Sequence, residues 1–241
     1  MTAVVISQPM FLPWIGLFEQ IKQADIFVHY DDVQRPQGRS FVSRVQIRRN
    51  NAIEWLTAPV NKANSGRLIS ETRLTDTTDW AGKHQKTLRH AYGRSPNAPE
   101  MLDLMQRLYL APSPMLADFN IQAIEQISGA LDLQTEFLRS SEMGIGGHST
   151  ARLVDICKSL GATRYVTGHG ARNYMDHDAF EAVGIEVFYM SYQSKPWAQG
   201  NENFTPYVSI LDTISSVPTE KVVEHMTSVL VPWREFVSRT D

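Results

Sequence analysis

Five short stretches of this chain hold residue types that can do chemistry. The first is Gln8-Pro9-Met10-Phe11-Leu12-Pro13-Trp14-Ile15-Gly16-Leu17-Phe18, where an apolar run from Ala3 to Ser7 ends and an amphipathic one begins. Ligands in α/β proteins bind outside the carboxyl ends of strands. Gln8, Trp14 and Gly16 therefore stand where a pocket floor is expected. The second stretch is Asp31-Asp32-Val33-Gln34. Its carboxylates could take Mg²⁺ or sugar hydroxyls. Adjacent side chains in extended chain point opposite ways, so one of the two faces a pocket; a loop Asx-turn is the alternative. Close by, Arg44 could grip a phosphate or carboxylate in a bidentate fork. Arg35 and Arg39 fit that task or a solvated surface equally.

The third stretch is Trp80-Ala81-Gly82-Lys83-His84-Gln85-Lys86. His84 is a candidate general base because imidazole titrates near neutrality. The alternative is a structural histidine on an amphipathic helix, with Lys83 and Lys86 on a wet face. The fourth, Gly144-Ile145-Gly146-Gly147-His148-Ser149-Thr150, precedes a helical pattern. Backbone amides at a helix start attract anions, so Gly146, Gly147 and Ser149 are candidate phosphate ligands. The spacing is neither a P-loop nor a dinucleotide fingerprint. The fifth runs Thr167-Gly168-His169-Gly170 and on to Tyr174 and Asp176. Gly168, His169 and Gly170 would let a ligand approach the backbone, and Tyr174 and Asp176 could hydrogen-bond a sugar or ribose. Asp31 is the alternative base to His84. His148, His169 and His177 do not make a zinc spacing, and no metal or other cofactor is expected.

The elements that must position these residues follow from periodicity. Ala3–Ser7 and Ile26–Tyr30 read as buried strands around a helix from Trp14 to Gln23, a βαβ unit. Phe41–Ile47 and Glu54–Val60 read as strands joined through a turn at Asn50-Asn51, and Leu68–Leu74 as a short further strand. Residues 61–67 read as a mobile loop. Helical spacing then runs through residues 78–135, broken by Pro96, Pro99, Pro112 and Pro114. After Phe137–Arg139 the βα alternation returns. A helix from Thr150 to Leu160 is capped by Ser149 and stopped by Gly161, and a strand follows at Arg164–Thr167. Short helices (171–176, 178–183), a strand at Ile185–Tyr189 and terminal helices (208–214, 219–236) complete the pattern. The expectation is one α/β domain over residues 1–241, with residues 78–135 as a helical insert or lid.

Length and composition are those of a globular protein: 241 residues, 42% hydrophobic, 20% charged and a net charge of −3. No global basic excess favours bulk nucleic-acid binding. The single cysteine, Cys157, lies in an amphipathic pattern; it excludes an internal disulfide and reads as core. No apolar run reaches the ~20 residues of a membrane span. No secretory signal is read at the start. The expected location is cytoplasmic, with no membrane partner.

The opening strand-loop-helix resembles the nucleotidyltransferase superfamily, whose loop reads Pro-x-His-x-Gly-His. Gly16 is retained, but Trp14 and Leu17 stand at the histidine positions and cannot donate charge-assisted bonds to phosphate. The implied fold is a mostly parallel, nucleotidyltransferase-like (Rossmann-like) sheet with altered chemistry. The full set of motifs resembles the WbqC-like family along nearly the whole chain. It comprises Gln8-Pro9 to Phe18, Ala24-Asp25, Asp31 to Gln34, Arg44, Trp55-Leu56-Thr57-x-Pro59-Val60, Trp80 with His84, Tyr165-x-Thr167-Gly168, Tyr174-x-Asp176 and Phe204-x-Pro206-Tyr207. His169 departs from the small or prolyl residue expected there. The resemblance implies a bacterial protein of surface-polysaccharide or related biosynthetic clusters. Some members resemble enzymes suspected of adding an amino acid such as glycine to an amino sugar on a nucleotide carrier. The expectation is therefore a transferase acting on a nucleotide-linked sugar with an acyl or aminoacyl donor, which could be a free amino acid, a carrier-protein thioester or a charged tRNA. The alternatives are an ATP-dependent nucleotidyl or adenylyl transferase and a non-enzymatic nucleotide-sugar binder.

Overall fold

The computed structural model describes residues 1–38, 40–50, 52–61, 66–75, 78–199 and 203–239. Arg39, Asn51 and most of the loop expected at 61–67 lie outside the described residues.

The short β-branched runs form a six-stranded sheet. Its strands are β1 (Ala3–Ser7), β2 (Ile26–His29), β5 (Glu136–Arg139), β6 (Arg164–Thr167), β7 (Glu186–Ser191) and β8 (Val229–Pro232). Their order is β5-β2-β1-β6-β7-β8, and all pair in parallel except β8, which runs antiparallel along β7. A separate antiparallel hairpin joins β3 (Arg44–Arg49) to β4 (Ala52–Thr57). Asn50 turns it in the left-handed region, φ 52°, which Asn tolerates better than most residues.

Side chains alternate across the sheet, so each face builds its own core. Val5, Phe27 and Val166 point to one face and meet α1 (Ile15–Lys22) and α4 (Leu116–Ala130). Val4, Ile6, Val28 and Tyr165 point to the other and meet α5 (Ser149–Ser159) and α6 (His177–Glu181). This is a doubly wound α/β arrangement. The helices α2 (Trp80–Tyr92), α3 (Ala98–Leu110) and α7 (Ile210–Ser216) join the first core together with the hairpin's Val45, Ile47 and Leu56. Cys157 is fully buried, and burial pushes its thiol up to about 12, so it is inert core.

Two polar ties hold the hairpin and the opening loop to this body. Asn120 on α4 donates to the carbonyls of Pro9 and Val42, both at 2.8 Å. Asp212 on α7 is fully buried. It accepts from Arg48 Nε (3.0 Å), Trp197 Nε1 (2.7 Å) and Gln199 Nε2 (3.1 Å). Burial holds its carboxyl above the usual range, against the pull of Trp197 and Arg48.

Three elements depart from the sequence reading. Leu68–Leu74 is a run of turns with isolated bridges (Gln34 to Leu68, Val60 to Leu74) rather than a strand. The segment from Ala171 to Asp176 follows a 3₁₀ turn (His169–Ala171) and is not an α-helix. The expected final helix from Thr219 to Phe236 is a 3₁₀ helix (Thr219–His225), then β8, then α8 (Trp233–Ser238). Val229-Leu230-Val231 finds the open edge of β7, and an edge strand tolerates Pro232.

Asp212→Ala leaves Arg48 charged and unpaired against the core. It is expected to cost about 3–5 kcal/mol, read as a lower urea midpoint at unchanged slope. An Arg48→Met/Asp212→Leu double variant should recover only the part due to the unpaired charge, since Trp197 and Gln199 still lose their acceptor.

Candidate functional site

The chain winds from β1 outward through β2 to β5, then returns to the other side of β1 with β6. Parallel pairing sets Val5 beside Val166, so the tips of β1 and β6 emerge side by side. No crossover covers a reversal of this kind, and ligands bind in the resulting crevice. A cavity of about 430 Å³ lies there. Ser7 and Gln8 line it from the β1 tip, Thr167, Gly168 and Gly170 from the β6 tip, and Tyr30 from beyond β2. A second cavity of about 350 Å³ shares Tyr30 and Ser149 with the first. Its walls add Asp32, Gln34, Gly147, His148 and Arg152.

The two cavities differ in charge. The described lining of the first holds amides, hydroxyls and tyrosines (Gln8, Gln20, Thr167, Tyr30, Tyr174) and no carboxylate, lysine or arginine. Tyr174 keeps 66% of its surface open, while burial and the neighbouring Tyr30 phenol raise the pKa of its hydroxyl. Burial likewise raises that of Tyr30, against the nearby Arg152 charge. The second cavity is lined by an ion pair, Arg152 with Asp32. Arg152 is 5% exposed. It donates from Nη2 to Asp32 Oδ2 (2.5 Å) and from Nε to the Ile145 carbonyl (2.9 Å), and its guanidinium lies 5.0 Å from the Tyr30 ring centre. Burial works against ionisation of Asp32, but the bonds from Arg152 and from Ser140 Oγ (2.5 Å) prevail and lower its pKa. The start of α5 opens on the same wall, and Ser149 there adopts φ +54°. A left-handed serine at a helix start costs of order 1–2 kcal/mol. The capping expected of Ser149 is corrected: His148 occupies the N-cap position, and no side chain caps α5.

Of the residues singled out in the sequence, Gln8, Gly168, Gly170 and Tyr174 line the first cavity, Asp32, Gln34 and Gly147 the second, and Ser149 both. Others stand elsewhere, each for a physical reason. His84 is buried in a cage of Phe11, Trp80 and Tyr109. Its Nε2 donates to the Thr57 carbonyl (3.1 Å), so its Nδ1 accepts from Tyr109 (3.1 Å) and both nitrogens are used. Burial pushes its pKa down to about 4, against the Thr57 bond. Asp31 is 1% exposed and accepts from the Ser141 amide (3.0 Å) and hydroxyl (2.8 Å), which ties the end of β2 to the 3₁₀ turn Ser140–Glu142. Arg44 stacks 3.8 Å over Trp55 on the hairpin, away from both linings. Asp176 caps α6 through the Ala179 amide (3.1 Å). His169 bonds the Met190 carbonyl (2.7 Å), and Gly146 is in neither lining.

Gly16 has a reason other than a nucleotide. A Cβ there would fall 2.3 Å from the Trp14 indole, which folds back over it and packs on Tyr192 and Tyr207 (centroids 4.8 and 5.5 Å). The Trp14 indole fills the space beside Gly16. Gly168 is also tight: a Cβ would meet Tyr192 Oη at 3.0 Å and Gln20 Nε2 at 3.1 Å. Sequence reasoning missed Gln20, Tyr30 and Arg152. Arg152 carried a signal, because a cation in the first turn of a helix opposes the macrodipole and requires an anionic partner.

This assembly matches a known group over most of its length. The profile of the WbqC-like protein family fits residues 8–224, a span that holds the lining of both cavities except Ile6 and Ser7. The chain belongs to the WbqC-like protein family. The Mycobacterium tuberculosis protein Rv1507c, described as uncharacterized, is 32% identical over 223 residues, covering 91% of this chain and 96% of that protein. No solved structure matches the chain. Among the described residues no helix is long and apolar enough to cross a membrane, and no cluster of three metal-ligating side chains occurs.

Two outcomes follow. A histidine held neutral in the fold but protonated when unfolded loses stability as pH falls from about 6.5 to about 4, by up to about 1.4 kcal/mol per unit. His84→Gln should flatten that limb in urea melts at pH 7 and pH 5. Gly16→Ala should unseat Trp14, cost about 1–3 kcal/mol and red-shift tryptophan emission.

Proposed function

We propose that this protein is a transferase that binds a nucleotide-linked sugar across the two cavities and acylates an amine on that sugar, with an aminoacyl group as the favoured donor. One observation carries the reading: an uncharged, hydroxyl- and amide-lined cavity shares Tyr30 and Ser149 with a second cavity that has the Arg152–Asp32 ion pair and a helix start on its wall. Sugars are held by neutral hydrogen-bonding groups and aromatic faces, and phosphates by helix amides and guanidinium. In this arrangement the sugar lies against Gln8, Thr167 and Tyr174, and the phosphates approach Ser149 and Arg152.

The amine nitrogen attacks the acyl carbon. A C–N bond forms, the bond from acyl carbon to the donor's carrier oxygen or sulfur breaks, and the amine proton passes to the leaving group. His148 is the imidazole on the described lining, so the proton relay is assigned to it rather than to His84 or Asp31. The open side of Gly170 gives the carbonyl oxygen room beside backbone amides. A cytoplasmic setting and a role in surface-polysaccharide assembly belong to the same proposal and draw on the family membership. Nucleotidyl transfer is disfavoured by Trp14 and Leu17, which supply no charge-assisted donor to phosphate. A binding-only role is the second reading, favoured by the full internal pairing of Asp31 and Asp32.

A thermal-shift series separates these. A nucleotide-linked amino sugar at a hundredfold excess over its Kd should stabilise the fold by about 2.7 kcal/mol, and the free sugar should give much less. Tyr30→Phe should weaken that binding up to about tenfold, and His148→Ala should lower turnover by at least ~100-fold with binding retained. Binding without turnover on aminoacyl donors favours the second reading; no shift with any nucleotide sugar overturns both.

A further inference from the structure

The charge of this chain is unevenly spread. Residues 33–94 hold 12 of its 23 lysines and arginines but only 4 of its 26 aspartates and glutamates. A chain that is acidic overall thus carries a strongly basic segment, made of the hairpin, its flanking loops and α2. Within it Arg48 and Arg49 are spent on Asp212 and Glu54. Arg67, Lys83, Lys86 and Arg89 are exposed and make no ion pair with a described residue.

The same segment displays aromatic rings to solvent. The inward face of the hairpin (Val45, Ile47, Leu56) is core, so Arg44, Trp55 and Ile53 stand on the outward face. Trp55 is 42% exposed and Phe41 45% exposed, with ring centres 6.2 Å apart. Arg44 lies 3.8 Å over Trp55, and its Nε is buried with no hydrogen-bond partner among the described residues. Gln46 pairs with Trp55 across the hairpin and bridges to Val208. The next residue, Tyr207, is 58% exposed and packs on Trp14, which packs on Tyr192. Tyr192 closes against Gly168 at the first cavity. An interrupted line of aromatic rings therefore runs from the hairpin to the cavity mouth. Near the second cavity, Arg35 and Arg67 are joined by a backbone bond (3.0 Å) directly beside its Gln34 and Leu68.

We infer that the outward face of the β3–β4 hairpin, with the Arg44–Trp55–Phe41 cluster at its centre, binds single-stranded RNA and leads its end toward the cavities. Unpaired cations track the phosphates, and exposed rings stack the bases, the combination used by single-strand binders. An anionic membrane or an acidic carrier protein would use the cations without needing stacked rings, and so would leave the exposed Trp55 and Phe41 without a purpose. The inference concerns binding and stands whether or not acyl transfer is the reaction. If that transfer reading also holds, the donor is an aminoacyl ester at the RNA's terminal ribose.

The test is fluorescence anisotropy of the full-length protein with a labelled mixed-sequence single-stranded RNA of about 12 nucleotides. Binding should weaken by roughly fiftyfold between about 50 and 200 mM salt if four phosphates are contacted. Trp55→Ala should weaken it about tenfold at fixed salt, with at most a small fall in melting temperature, since the ring is 42% exposed and packs on Arg44 and Phe41. A Lys83→Glu/Lys86→Glu variant should bind more weakly at low salt and show a shallower salt dependence. No measurable RNA binding at low salt overturns the inference, as does equal affinity for heparin or phosphatidylserine vesicles together with an indifferent Trp55→Ala. Loss of acyl transfer with RNA binding retained would strike the proposed function alone.

Discussion

The parallel pairing of β1 with β6 is the constraint on which the rest depends. It places two strand tips side by side where the winding of the sheet changes direction, and the crossovers on either side lead away from that point. The uncovered gap is therefore a property of the connectivity, and the side chains at the two tips determine its chemistry. Ser7, Gln8, Thr167 and Gly168 are there because five-residue and four-residue strands end at those positions.

Most carboxylates near the gap serve the architecture. Asp31 closes the 3₁₀ turn after β5, Asp32 neutralises Arg152, Asp176 caps α6, and Asp212 anchors the hairpin through Arg48. A carboxylate already receiving two or more hydrogen bonds is a poor base and a poor metal ligand, since either task breaks bonds made in a partly dry site. Glu19 on α1 follows the same pattern: it is 2% exposed and bound to the amide and hydroxyl of Ser228. What remains available to a ligand is neutral or cationic: amides, phenols, the α5 start and the half-neutralised Arg152. This suits an anionic, hydroxyl-rich ligand better than a cation.

Much of the fold was legible in the residues. Ala3–Ser7 announced a strand because a strand buried on both faces is a continuous apolar run, and Ile26–Tyr30 and Arg164–Thr167 were read as strands too. Gly161 marked the end of α5, where φ reaches 63°. The β8 edge was missed because Val229-Leu230-Val231 is too short for its period to be told from a helix, and only the free edge of β7 decides between them. His84 was misplaced for a related reason. Helical spacing shows that a histidine sits on a buried face, but not that Tyr109 and the Thr57 carbonyl, from separate elements, occupy both its nitrogens.

By itself the sequence determined most element types, the mostly parallel sheet and the glycine-bearing tip of β6, because these rest on local spacing and on side-chain volume. It also determined that Trp14 and Leu17 cannot grip a triphosphate, a matter of residue chemistry alone. Only the tertiary structure decided which charges are free. Arg44 leaves the site to stack on Trp55, and Arg152 takes the position beside Asp32. The reason is that a charge's role depends on its partner, and here the partners lie 11 to 164 residues away along the chain, brought together by strand order and packing rather than by sequence neighbourhood.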